Sequence, residues 1–286
     1  MRPTPLLQKL TNSSKGWLST HLRDPYVKSR QAHPAQFRSR SAFKLIELDE
    51  KYGNFLQNVN SVVDLGAAPG GWSQVVAAKM GWAEERELDS VPVATGGWGT
   101  RKGNRQGPAG AAEGKPKPSL YDDFYGADAQ TKGREKPGRG VIVAADLLPM
   151  LPIAGVRSLE IDFLSPRAEE LIRRMLMTRD NPHGKVDLIL SDMAANFTGS
   201  RAADTEASLK ICMAVFEFAE KNLRSVHETG KTNTGTLLMK HFTHPLLTEY
   251  KKNILEPNFH HVIYCKPDAS RKESAEGYWL CKGWKG

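Results

Sequence analysis

Apolar residues recur along this chain as short, mostly β-branched or aliphatic runs, each followed by a longer stretch with helical spacing. Val62-Val63, Val141-Ile-Val143, Leu188-Ile-Leu190 and Leu237-Leu-Met239 are continuous apolar cores, as in strands buried on both faces. The pattern predicts strands over Ser61–Asp64, Val141–Asp146, Ser158–Asp162, Val186–Asp192, Thr236–Lys240, about His260–Cys265 and Tyr278–Lys282. It predicts helices over Ser39–Gly53, Trp72 to about Met80, Pro166 to about Met177, Ala203 to about Leu223, and Leu246–Leu255. Strands alternating with helices specify an α/β fold with a parallel, doubly wound sheet. Ligands of such sheets sit beyond the carboxyl ends of the strands, where Asp64, Asp146, Asp162, Asp192 and Lys240 all fall. A lone acid there serves equally well as a helix cap or a surface charge; five ionisable groups on one edge indicate a site.

The first strand runs into Asp64-Leu-Gly-Ala-Ala-Pro-Gly-Gly-Trp-Ser-Gln74. This is a strand, a glycine-rich turn and a helix start, built for close approach of backbone to a ligand. The spacing is neither the dinucleotide Gly-x-Gly-x-x-Gly nor a phosphate loop ending in Gly-Lys-Ser/Thr. An acid at the strand end, with no lysine after the glycines, suits a ligand carrying an amino acid, such as S-adenosylmethionine (AdoMet).

Between about 83 and 140 the periodicity stops, and Gly, Pro, Lys and Ala dominate. Such a stretch buries too little apolar surface to offset its ordering entropy and is expected to be a disordered insertion in a domain spanning 39–286. No apolar run approaches the roughly 18 residues of a membrane span. Cys212, Cys265 and Cys281 are scattered, as buried thiols of a reducing compartment, and no metal site is expected: His241 and His244 lack partners at ligand spacing.

Charge adds one feature. The whole chain carries +8, and residues 1–44 alone hold nine Lys/Arg against Asp24, so the rest sums to zero. A basic arm (1–38) on a neutral body is an electrostatic footprint for RNA or DNA. The acid-free first twenty residues read equally as a targeting presequence.

Taken together, Arg38-Ser-Arg-Ser-Ala-Phe-Lys-Leu45, the Val63–Gln74 motif, Asp146-Leu-Leu-Pro-Met150, Ser191-Asp-Met-Ala-Ala-Asn196 and Lys266–Glu276 resemble the FtsJ-type ribosomal RNA 2′-O-ribose methyltransferases. The resemblance covers about 15–81 and 141–282, and the segment Trp17–Lys28 looks most like the mitochondrial branch. It implies a Rossmann-like class I AdoMet-dependent fold with a mostly parallel seven-stranded sheet and helices on both faces. It further implies a catalytic tetrad of Lys44, Asp192, Lys240 and Glu276, with Lys240 as general base. AdoMet is expected on Gly70, Gly71, Trp72, Asp146 and Asp162, with Asp192 bordering it, and RNA phosphate on Arg38 and Arg40. The implied substrate is a uridine in the A-loop of mitochondrial large-subunit rRNA, within a precursor particle and methylated by a monomer in the matrix. An RNA-binding mitoribosome assembly factor with dispensable catalysis, or a tRNA 2′-O-methyltransferase, are the competing readings. The chain departs from the family pattern at Ala195, where proline is usual, and at Gly277, where a β-branched residue is usual.

Overall fold

The computed structural model describes residues 24–33, 35–82, 138–195, 198–231, 234–271 and 274–286, all belonging to one unit. The expected presequence and nearly all of the expected insertion lie outside them.

Seven strands form one sheet in the order β3-β2-β1-β4-β5-β7-β6. They are β1 (Ser61–Leu65), β2 (Val141–Asp146), β3 (Val156–Glu160), β4 (Leu188–Ser191), β5 (Thr236–Phe242), β6 (Phe259–Cys265) and β7 (Glu276–Trp284). The first five pair in parallel, while β7 runs antiparallel between β5 and β6. The order reverses at β1, so β1 and β4 bracket the crevice in which such sheets bind ligands.

Two apolar layers cover the sheet. On one face, α2 (Ser41–Lys51) and α3 (Gly71–Lys79) bury Phe43, Leu45, Trp72 and Val75 against Val62, Leu190, Leu238 and Tyr278. On the other, α4 (Ala168–Leu176) and α5 (Arg201–Asn222) bury Ile172, Val215 and Phe218 against Val63, Ile189, Met239 and Trp279. Alternate strand residues therefore feed alternate cores, as a period of two requires.

Most elements start and stop within two residues of the sequence expectation, and the differences have local causes. α2 stops before Gly53, whose φ of +87° breaks the helix. β4 starts at Leu188 because Asp187 turns its carboxylate onto the Asn60 and Ser61 amides at 2.8 and 3.0 Å. β1 runs on to Leu65, placing Asp64 inside the strand instead of at its end. The helix predicted over Leu246–Leu255 is α-helical only over Pro245–Tyr250 and then widens to a π-turn over Lys251–Leu255.

Residues at both margins of the expected domain pack onto it. Residues 25–32, assigned to the basic arm, fold as α1 (Pro25–Ala32), capped by Asp24 and tied to α2 by Tyr26 Oη donating to Glu47 at 2.8 Å. Gly138–Gly140, assigned to the insertion, belong to the domain: Arg139 donates to the Val59 and Met80 carbonyls. Cys212, Cys265 and Cys281 are free and buried. No described helix is long and apolar enough to cross a membrane, and no described cluster of three His, Cys, Asp or Glu could hold a metal ion.

Candidate active site

Four elements converge at one edge of the sheet. Lys44 comes from the buried side of α2, Asp192 follows the last residue of β4, Lys240 lies near the end of β5, and Glu276 opens β7. Lys44 Nζ lies 2.6 Å from Glu276 Oε1, and Lys240 Nζ lies 3.1 Å from Asp192 Oδ1. Lys240 Nζ also donates to the Asp192 carbonyl at 3.1 Å, fixing the amine by two contacts to one residue.

A residue that the sequence reading missed joins the two pairs. The Tyr278 hydroxyl accepts from Lys44 Nζ at 3.2 Å and donates to Asp192 Oδ1 at 2.8 Å. Glu276, Lys44, Tyr278, Asp192 and Lys240 thus form one continuous chain of polar contacts. The available signal was strand period: Tyr278 stands two residues after Glu276 and shares its face. Tyr278 is fully buried, and Trp72 packs on it with ring centroids 5.8 Å apart.

Burial raises the Tyr278 phenol well above its ordinary value, and the Asp192 and Glu276 charges add to this, so it remains a neutral donor. For Glu276, burial pushes upward, yet the adjacent Lys44 ammonium, with a smaller contribution from Lys240, holds the carboxyl below its ordinary value. Glu276 is therefore an anion at neutral pH.

The residues assigned to a cofactor follow or close the carboxyl ends of β1, β2 and β3. Asp146 Oδ2 accepts from the Ala68 amide and Oδ1 from the Leu148 amide, both at 2.8 Å. It ties the glycine-rich loop to the segment after β2 and keeps one lone pair per oxygen for further donors. Asp162, exposed beyond β3, accepts from the Leu164 amide at 2.9 Å. Gly70, with φ of +108°, leads into α3; a Cβ there would stand 2.8 Å from Ile153 Cδ1. A Cβ on Gly71 would strike Ser39 and approach the Ala42 amide at 3.5 Å. Both glycines thus admit protein packing, a reason for them that the sequence reading, which assigned them to ligand approach, had not included. Trp72 donates its indole N–H to the Ser41 carbonyl at 2.7 Å and supports Tyr278 from beneath.

Asp64 supplies the electrostatic clue. It is buried, accepts from Ser73 Oγ at 2.6 Å through Oδ2, and leaves Oδ1 without a hydrogen bond. Burial, with smaller contributions from Asp192 and Asp146, raises its carboxyl to about 7 against the Ser73 bonds. The buried Asp64 carboxyl, with Asp192 and Asp146 near enough to act on it, makes a basin of acids suited to a cationic ligand.

The two arginines assigned to RNA turn out to be bound within the protein. Arg38 donates to the carbonyls of Pro69, Leu151 and Pro152 at 3.4, 2.6 and 2.7 Å, while its amide donates to Gln74 Oε1 at 2.8 Å. It clasps the two loops that bracket the crevice. Arg40 pairs with Asp24 and donates to the Ala269 carbonyl, pinning α1 and the segment before β7 to the body. Gly277 leaves room for Tyr264, whose Cε2 would lie 2.6 Å from a Cβ there.

Known proteins resemble this chain over most of its length. The family model described as FtsJ-like methyltransferase matches residues 37–101 and 128–284. The chain belongs to the FtsJ-like methyltransferase family. Within it, the chain is 35% identical over 274 residues to the ribosomal RNA large subunit methyltransferase E of Rhodopseudomonas palustris, covering 96% of this chain and 86% of that one. It is 35% identical over 279 residues to the enzyme of the same name from Novosphingobium aromaticivorans, covering 98% and 92%. A ribosomal RNA methyltransferase structure from Plasmodium falciparum superposes with a TM-score of 0.56 at 21% identity, covering 87% of this chain and all of that one, which establishes the fold. In this FtsJ-like methyltransferase three of the five residues of the polar chain, Lys44, Asp192 and Glu276, lie in the sequence motifs, and Lys240 and Tyr278 lie outside them.

Proposed function

We propose that this FtsJ-like methyltransferase transfers a methyl group from AdoMet to the ribose 2′-hydroxyl of a uridine in mitochondrial large-subunit rRNA, acting as a monomer, with Lys240 as general base. The observation that carries the reading is the continuous contact chain from Glu276 through Lys44, Tyr278 and Asp192 to Lys240. The ribosomal RNA named for both bacterial relatives supports the substrate class. Likeness of the Trp17–Lys28 segment to the mitochondrial branch, with the acid-free first twenty residues, supports the matrix location and the A-loop uridine.

The residues present fit AdoMet. Asp146 has acceptor capacity left for two ribose hydroxyls, Asp162 suits the adenine amino group, and the Asp64–Asp146–Asp192 basin suits a sulfonium and an ammonium. When bound, AdoMet supplies an electrophilic methyl group on sulfur.

The protein's own task is to position a hydroxyl and take its proton. With AdoMet bound, the ribose oxygen would bond to the methyl carbon as the carbon–sulfur bond breaks, and the hydroxyl proton would pass to a neutral Lys240 Nζ, which Asp192 holds through two contacts. Only a neutral amine has the lone pair that this transfer needs. Tyr278, as a neutral donor, keeps the Asp192 carboxylate aimed. Lys44 and Glu276 stand ready to bind the ribose and its phosphate, and holding the reacting groups near ~3 Å supplies much of the acceleration.

The test is transfer of labelled methyl from AdoMet to mitochondrial large-subunit RNA, naked and in precursor particles, with Lys240→Ala alongside. Label on one ribose that vanishes in the variant supports both substrate and base. Tight RNA binding with no label on either substrate would sink the reading.

A further inference from the structure

A second concavity lies on the face of the sheet opposite Lys240. Successive strand residues face opposite sides, so His241 leaves the polar chain of its neighbour and packs flat on Trp279, centroids 3.8 Å apart and planes 12° from parallel. A cavity of about 240 Å³ is lined there by His241, Thr243, Thr248, Lys251, Tyr264 and Trp279, among others. That volume matches roughly eight waters, enough for one heteroaromatic ring and its surroundings. Thr243 follows the end of β5 and Tyr264 is next to last in β6, so the cavity sits at the same carboxyl edge of the sheet as Lys240.

The chemistry of its walls is specific. His241 is only 4% exposed and neither ring nitrogen has a partner at hydrogen-bond geometry, with the Phe242 backbone the one polar group acting on the imidazole. An unmet buried donor or acceptor costs about 1–3 kcal/mol, so a ring with two of them is built to meet something. Burial lowers the imidazole to about 4, leaving it neutral at physiological pH, with one nitrogen a donor and the other an acceptor. Tyr264 stands against it at 5.7 Å in an edge-on arrangement and is 48% exposed, an aromatic face open to solvent. The missing Cβ of Gly277 gives that ring its place. Thr243 and Thr248, both exposed, bring hydroxyls to the mouth, and Lys251 is paired with Glu256 at 2.6 Å.

An exposed aromatic face beside a buried neutral donor and acceptor is how proteins read an unstacked base: the ring stacks and the edge is hydrogen-bonded. We propose that this cavity takes up one unpaired nucleobase of the RNA substrate, stacked on Tyr264 and hydrogen-bonded at its edge by His241. The proposal rests on the RNA methyltransferase reading above. It makes the cavity a register device: with one base seated on the His241 side, the RNA strand crosses the sheet edge and a ribose a fixed number of nucleotides away meets Lys240.

The decisive experiment irradiates full-length protein with substrate RNAs carrying 4-thiouridine at successive positions around the methylated ribose, without AdoMet, and sequences the cross-linked peptides. One position is expected to label Tyr264. Thr248→Trp, which fills the mouth from an exposed helical position, should abolish that adduct and raise KM for RNA roughly tenfold with kcat unchanged. Tyr264→Phe keeps the stacking face and should keep a normal KM, whereas Tyr264→Ala should behave like Thr248→Trp. Cross-links confined to the Lys44 side, with KM unmoved in Thr248→Trp, overturn the proposal and leave the methyltransferase reading intact. Failure of the wild-type chain to methylate any of these RNAs overturns that reading instead, while the cross-link map still decides the cavity.

Discussion

Tyr278 donates its hydroxyl proton to Asp192 Oδ1 at 2.8 Å while accepting from Lys44 at 3.2 Å, and through it two separate ion pairs become one unit. Lys44 and Glu276 would otherwise be a salt bridge between a helix and a strand, with no link to the pair formed by Lys240 and Asp192. Tyr278→Phe keeps the ring that Trp72 packs on and removes only the junction. The expected result is a kcat lower by about 10- to 100-fold, since an unmet buried polar group costs about 1–3 kcal/mol. AdoMet affinity should stay within a few-fold, checked by calorimetry beside single-turnover methyl transfer.

Lys240→Ala removes the proposed proton acceptor. Turnover should fall by roughly 10²–10⁴, the usual worth of a general base, while AdoMet binding persists. Turnover retained in the variant would refute the assignment.

Arg38 serves the crevice by closing the Pro69 loop onto the Leu151–Pro152 segment. Arg38→Ala should weaken AdoMet binding about tenfold and lower stability by roughly 1.5–3 kcal/mol, the range for hydrogen bonds from a charged donor. RNA affinity measured at fixed salt should change far less than AdoMet affinity. The reverse order would return Arg38 to the phosphate-contact role expected from sequence.

Two buried groups give stability opposite dependences on pH. The Asp64 carboxyl rises from 3.8 to about 7 by burial and the charges of Asp192 and Asp146, so ionising it costs stability as pH climbs from about 4 to 7. Burial lowers His241 from 6.5 to about 4, so its contribution is intact above 6.5 and is lost as pH falls towards 4. Asp64→Asn keeps an oxygen for Ser73 and removes only the first effect. Its advantage over wild type should widen between about pH 4 and 8, by up to about 4 kcal/mol, in denaturant titrations. Parallel stability curves for the two proteins would show that Asp64 is not the group responsible.

The sequence by itself determined the parallel αβ order, the near-exact span of most elements, and the gathering of Asp146, Asp162, Asp192 and Lys240 along one edge. These follow from period and chain direction, which are local properties: apolar runs make buried strands, and parallel strands bring their carboxyl ends to one side. Asp64 departs from this rule: β1 continues one residue beyond it, so it lies inside the strand with its side chain buried.

Only the tertiary structure decided which neighbours share a proton donor and where each charge is spent. Tyr278 looked like any strand aromatic until α2 and β4 were brought against it, residues 234 and 86 positions away along the chain. Arg38 and Arg40 read as RNA phosphate contacts, and sequence records their charge without recording the carbonyls that chain folding brings within reach. His241 and Tyr264 carried no motif, since a cavity is a property of the space between side chains from β5, β6, β7 and the helix Pro245–Tyr250, and no local pattern encodes it.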